Sequence, residues 1–328
     1  MKAITITDQS EPVQLTELDR PFTVDGQCLV RVKAAALNRR DQWIREGMYP
    51  GIRFGCVLGS DACGVVEEGP EEWRGKEVII NPNVNWGSDP EVQGTDYSVL
   101  GMPTDGTLAE FMVVATDRLH LKPEHLSTEE AAALPLAGLT AYRAAINKGQ
   151  SAEGRKILIT GAGGGVSQLA IVFALASGAE TYVTSGSEQK IEKCIAMGVK
   201  AGFNYKDESW FKEAGKAGGF DAIIDSAGGN QLNSYLKIVK PAGRIVMYGS
   251  TTGYPEKLDV FRLFWSQVQI MGSTMGNDNE FAEMVQFVNT HKIKPAIDQV
   301  FELNQYLDAF DRFKSPDHFG KIVLRIKN

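Results

Sequence analysis

The residues of this chain whose types and spacing most narrowly limit its chemistry are "GAGGGVS", 161–167, entered by the β-branched run "KILIT" and left by the helically spaced "SQLAIVFALASG". A strand that turns into a helix through bare backbone is the geometry of a dinucleotide site. One glycine makes the turn, a second lets the chain approach a pyrophosphate, and a third allows helix and strand to lie close. The helix start then offers free N–H groups and the positive end of its dipole to the phosphates. Two registers fit, Gly161, Gly163 and Val166 or Ala162, Gly164 and Ser167, and each departs from a strict G-x-G-x-x-G. In the second, Ser167 stands where the last glycine would, and smallness is what that place requires. Ala162, Gly163, Gly164, Gly165 and Val166 are the expected phosphate-side residues; a tight turn with no ligand would share the same local sequence.

The next strand end decides which dinucleotide. An NAD site carries Asp or Glu about 20 residues on, where it holds the ribose 2′-hydroxyl. Here that place is Gly186 in "TSGSEQK", flanked by the hydroxyls of Ser185 and Ser187 and the cation of Lys190. Those groups suit a 2′-phosphate, so NADP(H) is expected over NAD(H). Glu188 could still hold a hydroxyl, and Lys190 could be a solvated helix residue.

The elements around these residues are legible as texture. Up to about residue 120 the chain reads as short strands, "KAITIT", "CLVRVKAAAL", "GVVEEG" and "KEVII", bounded by turn residues. The polar stretch beginning "NPNVNWGSDPEVQG" is too long for an idle connection and reads as a lobe. Ser127 followed by Glu130 is a capping-box signature before an alanine-rich helix. Strands and helices then alternate, which implies a mostly parallel sheet covered on both faces. In that series "LNSYLKIVKPAG" is expected to be a helix ending at its glycine. From 266 the texture reverts to β in "QVQIMGST" and "GKIVLRI", with a helix "NEFAEMVQFVNT" between. The expected domains are 1–124, 125–265 for the dinucleotide and 266–328, the last completing the first.

Composition narrows the class. With 328 residues the chain can form about two domains. A net charge of -7 gives no reason to expect nucleic acid or an anionic membrane as partner. Cys28, Cys56, Cys63 and Cys194 lack paired spacing, so reduced structural thiols are expected. The opening "MKAITITDQSEPVQL" lacks the apolar core of a signal peptide, and no apolar run approaches the ~20 residues of a membrane span. A soluble, cytoplasmic protein with a small-molecule substrate is expected.

Taken in order, "ALNRRDQWIREGMYP", "VLGSDACGVVEEG", "DGTLAEF", "AAALPLAGLTAYRA", "ITGAGGGVSQLA" and "IIDSAGG" with "RIVMYGS" make nearly the whole chain resemble the medium-chain dehydrogenase/reductase superfamily. It looks most like the zinc-free quinone oxidoreductase and enoyl reductase branch. That resemblance implies an α/β fold: a doubly wound Rossmann parallel sheet plus a GroES-like β domain formed from both chain ends, and a homodimer joined through sheet edges, with "VQIMGST" a candidate edge. Zinc-using members carry a Cys where this chain has Asn38 and a His where it has Ser60, beside a carboxylate matching Asp61. A catalytic zinc wants three protein ligands, so no zinc is expected. The lobe at 83–101 matches the family's structural-zinc segment and contains no cysteine.

The resemblance also assigns roles. Tyr49 matches a tyrosine linked to proton delivery in enoyl reductases, and could equally be an aromatic of the pocket wall. Asn38 would position the nicotinamide ribose or a substrate carbonyl, Asp41 would orient Asn38 or its loop, and Trp43 could line the substrate pocket or belong to the core. Arg39 and Arg40 read as exposed charges. On the cofactor side stand Thr140, Tyr205 near a 2′-phosphate, and Ala227, Gly249 and Ser250 at strand ends. Gly320 and Lys321 match a late segment that returns to the phosphates, or are a turn glycine and a surface lysine. Asp225 could cap the turn that follows it. The activity implied is NADPH-dependent reduction of a quinone, enone or other activated alkene. Metal-free carbonyl reduction and a low-turnover NADPH-binding redox sensor are the alternatives.

Overall fold

Between Gly138 and Gly276 the alternating texture folds as one unit around six parallel strands. Across the sheet they run Ala201–Asn204, Glu180–Ser185, Lys156–Ile159, Phe220–Asp225, Val239–Met247 and Gln269–Gly272, which is the doubly wound order 3-2-1-4-5-6. Ile157, Leu158, Ile159, Ile223 and Ile224 are fully buried, as central parallel strands covered on both faces must be. The strand order reverses between Lys156–Ile159 and Phe220–Asp225, so the chains leaving their carboxyl ends diverge and open a crevice there. The computed structural model describes residues 1–8 and 10–327. Among them no helix is long and apolar enough to cross a membrane.

Two sequence expectations are corrected here. The helix Gln231–Ile238 stops before "VKPAG", and the strand Val239–Met247 begins at once. Pro241 has no N–H to continue a helix, Ala242 is left-handed at φ 57, and the strand pairing slips between Phe220 and Ala222 to absorb it. The segment "QVQIMGST" is the sixth parallel strand, at the sheet edge, so this unit runs to Gly276 rather than stopping at 265. A four-residue strand looks alike in a parallel edge and an antiparallel sheet, and local texture could not separate them.

The other unit takes Met1–Ala137 and Asn277–Asn328 together, so the expected boundary at 124 lies too early and the alanine-rich helix belongs here. Its seven-stranded sheet contains Gln27–Ala36 flanked by Asp61–Glu68 and by the late strand Lys321–Arg325, both antiparallel to it. Val30, Val32, Leu58, Ile80, Ile322 and Leu324 share one buried cluster, so distant stretches of chain close the same core. Ser127 and Glu130 form the expected capping box on the helix Thr128–Ala132, which packs here on Gln27–Ala36 and Asp61–Glu68. The lobe holds its shape through a short pair, Asn83–Val84 with Ser98–Val99. An edge-to-face contact of Trp86 with Tyr97 at 5.2 Å and the bond from Tyr97 Oη to Asn83 Oδ1 at 2.9 Å support it.

Candidate active site

The glycine corner joins the strand Lys156–Ile159 to the helix Gly165–Ala176. Gly161 sits at φ +64, a conformation that costs glycine little and other residues more. Gly164 is the helix N-cap, no side chain caps this end, and the first turn carries no acidic residue. Its leading N–H groups are left for a ligand or water. Ser167 does more than stay small: its Oγ donates to the carbonyl of Thr160 at 2.9 Å, fastening the helix to the strand end, and meets Tyr248 Oη at 2.9 Å. With the Ser167 proton given to Thr160, the Tyr248 hydroxyl is left to donate to Ser167; burial pushes its phenol up to about 12.

At the next strand end, Ser187 N donates to Ser185 Oγ at 3.2 Å. A Cβ on Gly186 would stand 2.8 Å from Tyr205 Oη and 3.1 Å from Lys206 Cε, so glycine is what lets the tyrosine lie over this backbone. Ser185, Gly186, Ser187 and Tyr205 are thereby brought together, with Lys206 joining them and Lys190 on the first turn of the helix Glu188–Ala196. Sequence reading missed Lys206, although it directly follows Tyr205. Glu188 accepts from Asn204 Nδ2 at 2.6 Å. At the switch point Asp225 accepts from Thr160 Oγ1 at 2.6 Å, Tyr235 Oη at 2.8 Å, and the N–H groups of Ala227 and Gly228 at 3.2 and 2.7 Å. It caps its turn, and a Cβ on neighbouring Gly249 would meet the Ser226 carbonyl at 2.8 Å. Ala227, Gly249 and Ser250 stand in these tight strand-end turns. Thr140 is buried, its hydroxyl 3.6 Å from Met275 Sδ. The bare corner, the hydroxyls and the aromatic cover are features that could hold a dinucleotide cofactor: Ser185, Ser187 and Tyr205 stand together at the second strand end, and Lys190 lies on the helix that follows.

The first unit gathers a different kind of site. Asn38 is the N-cap of the helix Arg39–Arg45, directly after the strand Gln27–Ala36, while Asp61 and Lys321 each open a neighbouring strand. Lys321 Nζ donates to Asn38 Oδ1 at 2.6 Å and to Asp61 Oδ2 at 2.8 Å; Asn38 Nδ2 donates to that same Asp61 oxygen at 2.9 Å. Asp61 Oδ1 accepts from Leu136 N at 2.7 Å. The pair is almost wholly buried, at 4% and 0% side-chain exposure, so Lys321 is no surface lysine. Gly320 before it is a turn glycine at φ +106, where a Cβ would stand 2.4 Å from the Ala296 carbonyl. Asp41 Oδ2 accepts from Asn38 N at 2.7 Å, which orients the helix start, while its Oδ1 is buried without a partner. Burial pushes the Asp41 carboxyl above its ordinary value, against the pull of Arg40 and the Asn38 N–H.

Arg40 overturns the reading of an exposed charge, although Arg39 does lie in solvent. The Arg40 guanidinium is buried and donates to Ser60 Oγ at 2.7 Å, to the carbonyls of Leu100, Met102 and Val99 at 2.6, 3.1 and 3.4 Å, and to Tyr49 Oη at 3.2 and 3.4 Å. Its carbon also lies 4.9 Å from the Tyr49 ring centroid. The missed signal was helical spacing: Arg40 and the fully buried Ile44 are four apart and share a face. Tyr49 is half-buried, and Trp43 lies on the exposed side of the same helix.

The residues at the family's catalytic zinc positions do not fit that metal. Ser60 already accepts from Arg40 and donates to Leu100 O at 2.7 Å, while Asn38 and Asp61 are bonded to the Lys321 ammonium. Two protein cations stand against the donors, and zinc wants deprotonated or neutral lone pairs facing it. Among the described residues no group of three or more His, Cys, Asp or Glu gathers as a metal site. Burial pushes the thiols of Cys56 and Cys63 up to about 12, far from thiolate character.

Known proteins place this geometry in context. Residues 24–124 match the alcohol dehydrogenase GroES-like domain, and 165–290 match the zinc-binding dehydrogenase family. A zinc-type alcohol dehydrogenase-like protein, YogA, of Leptosphaeria maculans is 37% identical over 96% of this chain and 95% of its own. A crotonyl-CoA reductase of Streptomyces collinus is 29% identical over 96% of this chain and 82% of its own. The crystal structure of an NAD-dependent alcohol dehydrogenase superposes with a TM-score of 0.93 at 33% identity, covering 100% of both chains.

Proposed function

We propose that this chain, which belongs to the zinc-type alcohol dehydrogenase-like medium-chain dehydrogenase/reductase superfamily, is an NADPH-dependent reductase of a quinone, enone or other activated alkene that works without zinc. It is an oxidoreductase of that superfamily. The observation that carries the finer reading is the state of the zinc-ligand positions, where Asn38, Ser60 and Asp61 are tied to Lys321 and Arg40. A simple carbonyl gains most from a Lewis acid, whereas a conjugated acceptor is activated by its own π system and needs a proton donor instead. When bound, the reduced nicotinamide supplies the hydride.

The residues divide the remaining work. The corner at 161–166 would hold the pyrophosphate on bare N–H groups, and Ser185, Ser187, Lys190 and Tyr205 the 2′-phosphate. Tyr49 would give the proton, since its hydroxyl accepts from Arg40 and donates to no described residue. Asn38 and Asp41 fix the helix that carries Arg40. The name of the crotonyl-CoA reductase relative supports a conjugated substrate, and that of the alcohol dehydrogenase structure supports the carbonyl alternative. A homodimer is proposed on the resemblance alone.

The test follows NADPH oxidation at 340 nm with 1,4-naphthoquinone, 2-cyclohexenone and butanal. Reduction of the first two in preference to butanal is expected. Preference for butanal would replace this reading with carbonyl reduction, and tight NADPH binding with no acceptor-dependent oxidation would replace it with a sensor. Lys190→Glu should weaken NADPH roughly tenfold more than NADH in a fluorescence titration, because it sets a carboxylate beside a phosphate. Equal weakening would remove the basis for choosing NADP(H).

A further inference from the structure

The feature of the first unit that the superfamily's own logic leaves unexplained is Arg40. Each N–H of its guanidinium ends on a neutral oxygen: Ser60 Oγ, the carbonyls of Val99, Leu100 and Met102, and Tyr49 Oη. Among the described residues no carboxylate bonds it. Lys321, nearby in the same unit, has its carboxylate in Asp61. The buried Asp41 carboxyl acts on Arg40 only through space, so the guanidinium, held by neutral oxygens, keeps its charge available to a negative oxygen that forms against it. Its five N–H groups are already engaged, so it has none to spare for a substrate. It can act only through what it bonds, and among the described residues the one titratable group it bonds is the Tyr49 phenol.

We propose that Arg40 is a positioning residue for proton delivery by Tyr49. Two of its bonds fill the lone pairs of Tyr49 Oη, which turns the O–H outward, and its fixed charge receives the negative oxygen left behind. Ser60 and the carbonyls of 99–102 hold the guanidinium still, so no reorganisation is needed when that charge develops. The proposal rests on the reductase reading above. In the step itself, one carbon of the activated alkene takes a hydride and its two electrons from reduced nicotinamide. The adjacent carbon takes the Tyr49 proton, the O–H bonding pair stays on the tyrosine oxygen, and water later restores the proton.

The experiment uses the full chain with NADPH and 2-cyclohexenone. Tyr49→Phe should lower kcat about 100-fold with little change in KM. Arg40→Met should lower it by a similar factor, and the double variant should be no slower than either single one, because one removes what the other acts through. Arg40→Lys keeps the charge and loses the fork, so it should recover part of kcat and show a larger D2O slowing than the natural protein. NADPH affinity and the near-UV circular dichroism of each variant show that it is folded; if Arg40→Met is not, the Arg40→Lys comparison decides alone. Losses that multiply in the double variant, or a KM effect with kcat intact, would overturn the role of Arg40 while leaving the reductase reading standing. No turnover of any acceptor by the natural protein would overturn both.

Discussion

Two places in this molecule share a plan and are built from opposite materials. At residues 160–165 a strand of the middle unit turns into a helix, and at residues 37–39 a strand of the other unit does the same. The first helix start is bare: Gly164 caps it with no side chain, and no acid stands in its first turn. The second carries its own acid, since Asp41 accepts from Asn38 N and brings a carboxyl group to the positive end of the dipole. A helix start without an acid attracts an anion, and one with a carboxyl group in its first turn disfavours a second. The difference shows how one fold plan can leave a helix start open in one unit and position charged side chains in the other.

Three substitutions would break or sharpen that contrast. The largest effect belongs to Lys321→Met, which leaves the Asp61 carboxylate buried with its cation gone. It should cost about 3–5 kcal/mol in urea unfolding, and a loss within error would mean that the cluster is not held by this pair. Next comes Gly164→Asp, which gives the open helix the cap it lacks. The position has ordinary φ -75 and nothing nearer than 3.7 Å to a new Cβ, so the fold should accept it. Stability should hold or rise, and NADPH affinity should fall roughly tenfold or more from the carboxylate beside the phosphates. Unchanged affinity would show that the pyrophosphate lies elsewhere.

The smallest effect is that of Asp41→Asn. Because burial raises the Asp41 carboxyl in the fold, the folded chain binds its proton more tightly than the unfolded chain does. Asp41 therefore makes stability fall as pH rises from its ordinary value of 3.8 through the raised one. The asparagine can still accept from Asn38 N and carries no such titration, so the slope of stability against pH in that range should flatten. Asp298, held below its ordinary value chiefly by Arg312 against the burial that opposes it, acts in the reverse sense and loses stability as pH falls. An unaltered slope in Asp41→Asn would assign the pH dependence to other groups.

What the chain disclosed in advance follows the same division. The glycine corner, the capping box at Ser127 and the alternation behind the parallel sheet depend on neighbours within a few residues, and they could be read directly. Local texture puts the edge strand Gln269–Gly272 with the last segment, and only the resemblance marks it as a candidate sheet edge, because four residues carry no sign of which sheet they will join. Ser167 was understood for its size and not for its bond to Thr160, whose carbonyl reaches it only once the corner is formed. Arg40 was misread because it adjoins the solvated Arg39, and only its four-residue step to Ile44 marks its inward face. Lys321 and Asn38 lie 283 residues apart, and no local pattern announces their meeting.

That separation bears on biosynthesis. Lys321–Arg325 is threaded beside Gln27–Ala36, a strand made almost three hundred residues earlier. While the ribosome is still short of residue 321, the middle unit already has all six of its strands, whereas the early β strands wait with an open flank and Asp61 without its lysine. Long-range pairing of this sort is slow and leaves unpaired edges exposed. The charged cluster thus doubles as a late latch, closing only when translation has delivered the final strand.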